Sequence, residues 1–123
     1  MKKYIILTIL SLSLIGISSC EKNDEARKVV YQISDNQSGF EVSYRNASGE
    51  VKKEQVIPES KEDVWKYTFE AREGEIIYVS GIYDDVTTGI KVQILLDGKL
   101  FKEKSSLYDT LNYVIVSGTV PFE

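Results

Sequence analysis

The chain has no histidine. That removes the commonest general base and metal ligand, and every nucleophile that needs an imidazole beside it. Its one cysteine, Cys20, leaves no internal disulfide to hold a small domain, so stability must come from an apolar core. Clustered positive charge is also missing. Lys52-Lys53 and the stretch 99–104 are diluted by glutamate or apolar residues and read as solvated strand faces, which argues against nucleic acid. No segment outside the first nineteen residues carries a helical apolar stripe, and residues 61–64 have room for one helical turn at most. Carboxylates are present at Glu70, Glu73, Asp84 and Asp85, but any acid-rich chain offers such pairs by chance, and the 84–89 loop lacks the alternating oxygen ligands of a calcium loop. Gly74, Gly81, Gly89 and Gly98 follow strand-and-turn spacing and form no phosphate-cradling loop. The expectation is a protein that is not an enzyme and uses no metal or cofactor.

The N-terminus is informative. Lys2 and Lys3 precede an apolar run over 4–17, too short for a comfortable membrane span, and Ile17-Ser18-Ser19-Cys20 follows. This layout resembles a bacterial lipoprotein signal with its lipobox. The resemblance implies that residues 1–19 are removed, and that Cys20 is acylated and becomes the first residue of the mature chain. The alternative is an ordinary signal peptide followed by an unmodified cysteine. Cleavage would leave 104 residues, one small domain, and loss of Lys2 and Lys3 would take the formal charge from −4 to −6. Residues 20–27 are polar without apolar periodicity and read as a flexible tether. Within them Lys22, Asp24 and Glu25 resemble the acidic signal that carries Bacteroidetes-type lipoproteins to the cell surface; a generic hydrophilic linker is the other reading. The expected location is the outer membrane, by lipid anchor, facing either the periplasm or the cell surface.

From residue 28 to 123 the apolar period is two. Val29, Tyr31 and Ile33 alternate with polar neighbours, as do Phe40, Val42 and Tyr44, then Val51 with a weaker stretch at 55–57, then Trp65, Tyr67, Phe69 and Ala71. Each reads as a half-buried strand. Segments 76–83, 90–96 and 111–116 are nearly continuous apolar runs and read as central strands or strands covered on both faces. Turn signals lie between them at 35–39, 46–49, 73–74, 84–89 and Asp97-Gly98, the last a two-residue hairpin turn that needs positive φ at both positions. The eight tyrosines, four phenylalanines and one tryptophan suit a pleated, half-buried surface. The fold class expected is all-β, a small antiparallel immunoglobulin-like β-sandwich of 6–8 strands.

The segments 30–33 and 40–50, Pro58, the 65–71 strand, 92–98 and Asn112-Tyr113-Val114 together resemble the mycobacterial small membrane proteins called MmpS. That family has an immunoglobulin-like sandwich and serves as accessory to transporters of the RND type, which implies a protein partner in the envelope. A cysteine pair of the family aligns with Val92 and Val114, and the resemblance implies that the strands bearing these valines are neighbours. Three further features bear on function. Asp109-Thr110-Leu111 resembles a bacterial O-glycosylation triplet and makes Thr110 a candidate modification site. The Asn46-Ala47-Ser48 sequon reads as a turn. Tyr78, Tyr83, Tyr108 and Tyr113 are candidates for a binding face, or else core residues with hydroxyls at the sheet margin. Three functions stay open. One is a non-enzymatic binding or accessory module, of a transport complex if the MmpS resemblance extends that far; another is a surface adhesin that binds a glycan or peptide; the third is a purely structural or immunomodulatory lipoprotein. The chain is expected to be a monomer.

Overall fold

The computed structural model describes residues 26–85, 87–107 and 112–122. Within them the chain forms β1 (Ala26–Ser34), β2 (Phe40–Arg45), β3 (Val51–Val56), β4 (Trp65–Arg72), β5 (Ile76–Ile82), β6 (Gly89–Leu96), β7 (Lys99–Leu107) and β8 (Tyr113–Thr119). All pairings are antiparallel, in two four-stranded sheets of order β4-β1-β6-β7 and β3-β2-β5-β8, here sheet I and sheet II. The fold is the expected all-β class, a small antiparallel sandwich of two sheets. Only β2–β3 and β6–β7 are hairpins within a sheet; every other connection passes from one sheet to the other. No helix among the described residues is long and apolar enough to cross a membrane.

The period-two pattern sets which face is inward. Val29, Tyr31 and Ile33 of β1 and Ile90, Val92, Ile94 and Leu96 of β6 meet Val42 and Tyr44 of β2, Ile77 and Val79 of β5, and Val114 and Val116 of β8 in one core. Two turns show how local chemistry closes the hairpins. Asp97 and Gly98 have φ of 52° and 84°, the backbone that a tight β6–β7 turn demands. In the β2–β3 turn the Asn46 side-chain oxygen accepts the N–H groups of Ser48 and Glu50, each at 3.0 Å, so the sequon residues do act as turn residues.

The aromatic residues close one side of the sandwich. Strands β3 and β4 are sheet edges there, and Tyr44 packs against Trp65 and Tyr67 with ring centroids 5.3 and 4.6 Å away, while Tyr31 lies 5.1 Å from Phe69. Glu54 on β3 finishes the seal by accepting hydrogen bonds from the Tyr44 hydroxyl at 3.0 Å and from the Trp65 indole N–H at 3.4 Å.

Several sequence expectations are corrected. The 111–116 run was expected to be central or covered on both faces, yet among the described residues β8 is an edge strand bonded to β5 alone, and its apolar outward residues face solvent. Val92 and Val114 are both buried, but β6 and β8 lie in opposite sheets and approach across the core without pairing. Val51 is not half-buried; it points outward on an edge strand exposed along nearly all its length. The tether expected through Arg27 ends sooner, because Ala26 pairs with Arg72 and Arg27 reaches Asp97 at 2.6 Å. Asp97 also accepts the Lys28 N–H at 3.0 Å, and these donors hold its carboxyl below the usual range.

The two ends of the sandwich differ. At the end where β1 begins lie the 46–49, 73–75 and 97–98 turns; at the other lie the 35–39, 57–64 and 83–88 connections. Buried Asn36 knits the latter together, its amide donating to the Gly89 carbonyl and its oxygen accepting the Gly39 N–H, both at 2.8 Å. Asn36→Ala strips partners from two backbone groups and is expected to lower unfolding stability by about 2–3 kcal/mol, read from the urea midpoint at unchanged slope.

Candidate functional site

A two-layer sandwich leaves each sheet one face toward solvent, and the two such faces of this molecule differ in chemistry. On sheet I the outward positions are mostly charged or amide. Lys66, Thr68, Glu70 and Arg72 alternate along β4, and Gln32 donates to Gln93 across β1 and β6 at 2.9 Å. On sheet II the outward positions of β5 are Ile76, Tyr78, Ser80 and Ile82, and those of β8 are Tyr113, Ile115, Ser117 and Thr119. None of these eight carries a charge. Ile82, Tyr113 and Ile115 are 42, 46 and 42 % exposed, which is unusual company for the solvent face of a monomeric sheet.

Register explains the shape. Ile82 pairs with Glu41 and Tyr113 in one row, and Ser43 pairs with Lys53 and Ser80, and Ser80 with Ile115, in the next. Two serines side by side at the centre are too short to fill the space between the tyrosines and isoleucines. The result is a shallow depression of about 280 Å³, lined by Ser43, Val51, Lys53, Tyr78, Ser80, Ile82, Tyr113 and Ile115. Its larger neighbours shade the serines almost completely, to 7 % exposure at Ser43 and 4 % at Ser80. The Tyr78 hydroxyl donates to Ser80 Oγ at 3.2 Å. Chemically the face offers apolar area with a hydroxyl floor, and charge only on the β2 and β3 margin at Glu41, Arg45 and Lys53.

Of the four tyrosines singled out by sequence, Tyr78 and Tyr113 both line this face, Tyr78 in the row of Ser117 and Tyr113 in the row of Ile82. Tyr83 does not; it is buried, with its hydroxyl 2.9 Å from Ser106 Oγ, and belongs to the core. Tyr108, Thr110 and Cys20 lie outside the described residues. The carboxylates considered for chemistry stay apart. Glu70 projects from the outer face of sheet I, whereas Asp84 and Asp85 sit in the loop beyond β5 at the far end. Asp85 is occupied as a turn acceptor, taking the Thr87 hydroxyl at 2.6 Å and the Thr87 N–H at 3.0 Å; these bonds hold its carboxyl below the usual range. Among the described residues no group of acidic or sulfur side chains converges as a metal site.

Sequence reasoning missed Ser43, Ser80, Ile82 and Ile115. The signal was the apolar run over 76–83, read as a strand covered on both faces. In a two-layer sandwich only one face of a strand can be covered by the other sheet, so such a run leaves the second apolar face without a partner in its own chain. A second depression, of about 220 Å³ beside Phe40, Val56, Ile57, Pro58, Val64 and Trp65, sits at the far end, but the Trp65 indole is committed to Glu54.

The fold and this face define the class: a two-layer antiparallel β-sandwich with an uncharged patch, largely apolar, on the β5–β8 half of one sheet face. No family model matches the chain, and no curated protein matches it either.

Proposed function

We propose that the chain is a lipid-anchored envelope lipoprotein whose sandwich is a non-enzymatic binding module, docking another protein of the envelope through the outer face of sheet II. The observation that carries this reading is the contrast between the two solvent faces, one charged and one an uncharged patch of Ile82, Tyr113 and Ile115 around Tyr78 and Ser80. Protein interfaces have such composition at their centres, apolar and tyrosine-bearing with few charges. The lipobox-like sequence at Cys20 supports the anchor. From Cys20 to Ala26 the chain reaches at most about 20 Å, which would hold the β1-entry end close to the membrane and turn the sheet faces sideways toward neighbours in the same membrane. The accessory role implied by the MmpS resemblance agrees with that placement.

A glycan is the second reading, favoured by the exposed Tyr113 ring beside serine hydroxyls, a pairing that suits a sugar face. A photo-cross-linking amino acid at position 82, compared with one at position 68 on the outer face of sheet I, separates the two in living cells. A discrete protein adduct from 82 and none from 68 is the expected result. Equal adducts from both, or none from 82, would sink the docking reading, and glycan arrays would then test the second.

A further inference from the structure

We infer that the partner adds an extended, carboxylate-bearing strand to the free edge of β8, beside Lys102 and Lys104. This deepens the docking reading and rests on it. The backbone bonds at the two ends of β8 set the alternation: Tyr83 N–H donates to the Asn112 carbonyl and Val120 N–H to the Glu75 carbonyl, each at 2.9 Å. In an antiparallel ladder the bonded residues alternate, so Val114, Val116 and Gly118 bond to β5, and Tyr113, Ile115 and Ser117 direct their N–H and C=O groups away from it. Among the described residues those outward groups have no backbone partner.

The four sheet edges are not equally guarded. Lysines and glutamates punctuate β3, β4 and β7, whereas β8 reads Tyr-Val-Ile-Val-Ser-Gly-Thr, uncharged and rich in β-branched residues. Charge on an edge blocks strand addition; its absence invites it. Beside β8 runs a groove of about 370 Å³ between Lys102, Glu103 and Lys104 on one wall and Ile115, Val116 and Ser117 on the other. Lys102 pairs with Ile94 and Lys104 with Val92, so both lysines stand at core-facing positions of β7 and emerge on this side of the sandwich. Glu103 faces the other way, toward Lys91 at 4.0 Å, and no ion pair joins Lys102 or Lys104 to a carboxylate among the described residues.

This charge selects the occupant. A second copy pairing through β8 would bring two more lysines to the two already there, which costs energy; a strand bearing Asp or Glu would meet them favourably. Phe101 and Lys102 pack against Gly118, where an added Cβ would lie 3.1 and 3.3 Å from their side chains, which brings the Lys102 stem alongside β8. Alternate residues of the incoming strand would extend the apolar face next to Tyr113 and Ile115.

The test uses the protein as purified from envelopes in detergent micelles and two blocked heptapeptides, one alternating valine with glutamate and one alternating valine with lysine. Amide exchange is followed by NMR. The glutamate peptide should slow exchange at Tyr113, Ile115 and Ser117 by about tenfold or more, and the lysine peptide should not. The Lys102→Glu/Lys104→Glu variant should reverse that preference, with unchanged Val114 and Val116 amides reporting an intact β5–β8 ladder. No protection, equal protection by both peptides, or protection that grows with protein concentration alone would overturn the inference. An adduct at position 82 together with an unprotected β8 would overturn strand addition and leave face docking standing. Protection of β8 without that adduct would do the reverse.

Discussion

Tyr31→Phe is expected to lower the unfolding free energy by about 2–4 kcal/mol, although the aromatic ring and all its contacts stay. Tyr31 belongs to sheet I, but its hydroxyl crosses the core to sheet II, donating to the Arg45 carbonyl at 2.7 Å and accepting the Tyr78 N–H at 3.2 Å. The β2–β5 ladder stops at Tyr44 and Val79, one step short of Arg45 and Tyr78. The phenol therefore stands in for the missing rung and fastens the two sheets at that point. Phenylalanine would leave a carbonyl and an N–H without partners, and equilibrium urea unfolding would read the loss as a lower midpoint.

The same residue sets an alkaline limit. Burial, the largest effect, pushes the Tyr31 phenol up to about 12, and burial followed by the hydrogen-bonded Glu54 carboxylate does the same for Tyr44. A raised pKa means that the folded state favours the neutral phenol. Its contribution is complete below the unfolded value near pH 10 and is lost as pH rises from there to about 12. For fully buried Tyr31 this amounts to roughly 3 kcal/mol. Stability measured between pH 9 and 12 should fall steeply in the wild type and with a shallower slope in Tyr31→Phe; parallel curves would contradict the assignment.

Cys20→Ala should produce the largest change in the cell. If the cysteine carries the lipid, the wild type incorporates a fatty-acid label and fractionates with the outer membrane, and the variant does neither. Stable anchoring takes more than one acyl chain or a second signal, and the acidic mature chain offers no basic patch to replace them. A variant that still fractionated with the outer membrane would overturn the proposed anchor.

The strands whose two faces meet different surroundings were the readable ones. Val29, Tyr31 and Ile33 alternate with polar residues, and all three are buried; Asp97-Gly98 adopts the positive φ its turn type requires. The stretch 99–104 read as a solvated strand face, and what its charge concealed is that Lys102 and Lys104 occupy core-facing positions of β7 at an open side of the sandwich, where a long side chain escapes to water. Residues 111–116 read as central or covered on both faces because residues 113–116 are apolar on both sides of β8, and sequence does not distinguish an apolar face covered by its own chain from one awaiting a partner. The depression at Ser43 and Ser80 depends on cross-strand register between residues 37 positions apart, which no local pattern encodes.

The central claim, that the outer face of sheet II is covered in the envelope, is tested most directly by hydroxyl-radical footprinting of the protein in intact envelopes and again after purification. Tyr78, Tyr113 and Ile82 should be oxidised markedly more slowly in the envelope, while Val30 and Leu95 on the outer face of sheet I react alike in both. Equal oxidation of Tyr113 and Ile82 in the two preparations would contradict it.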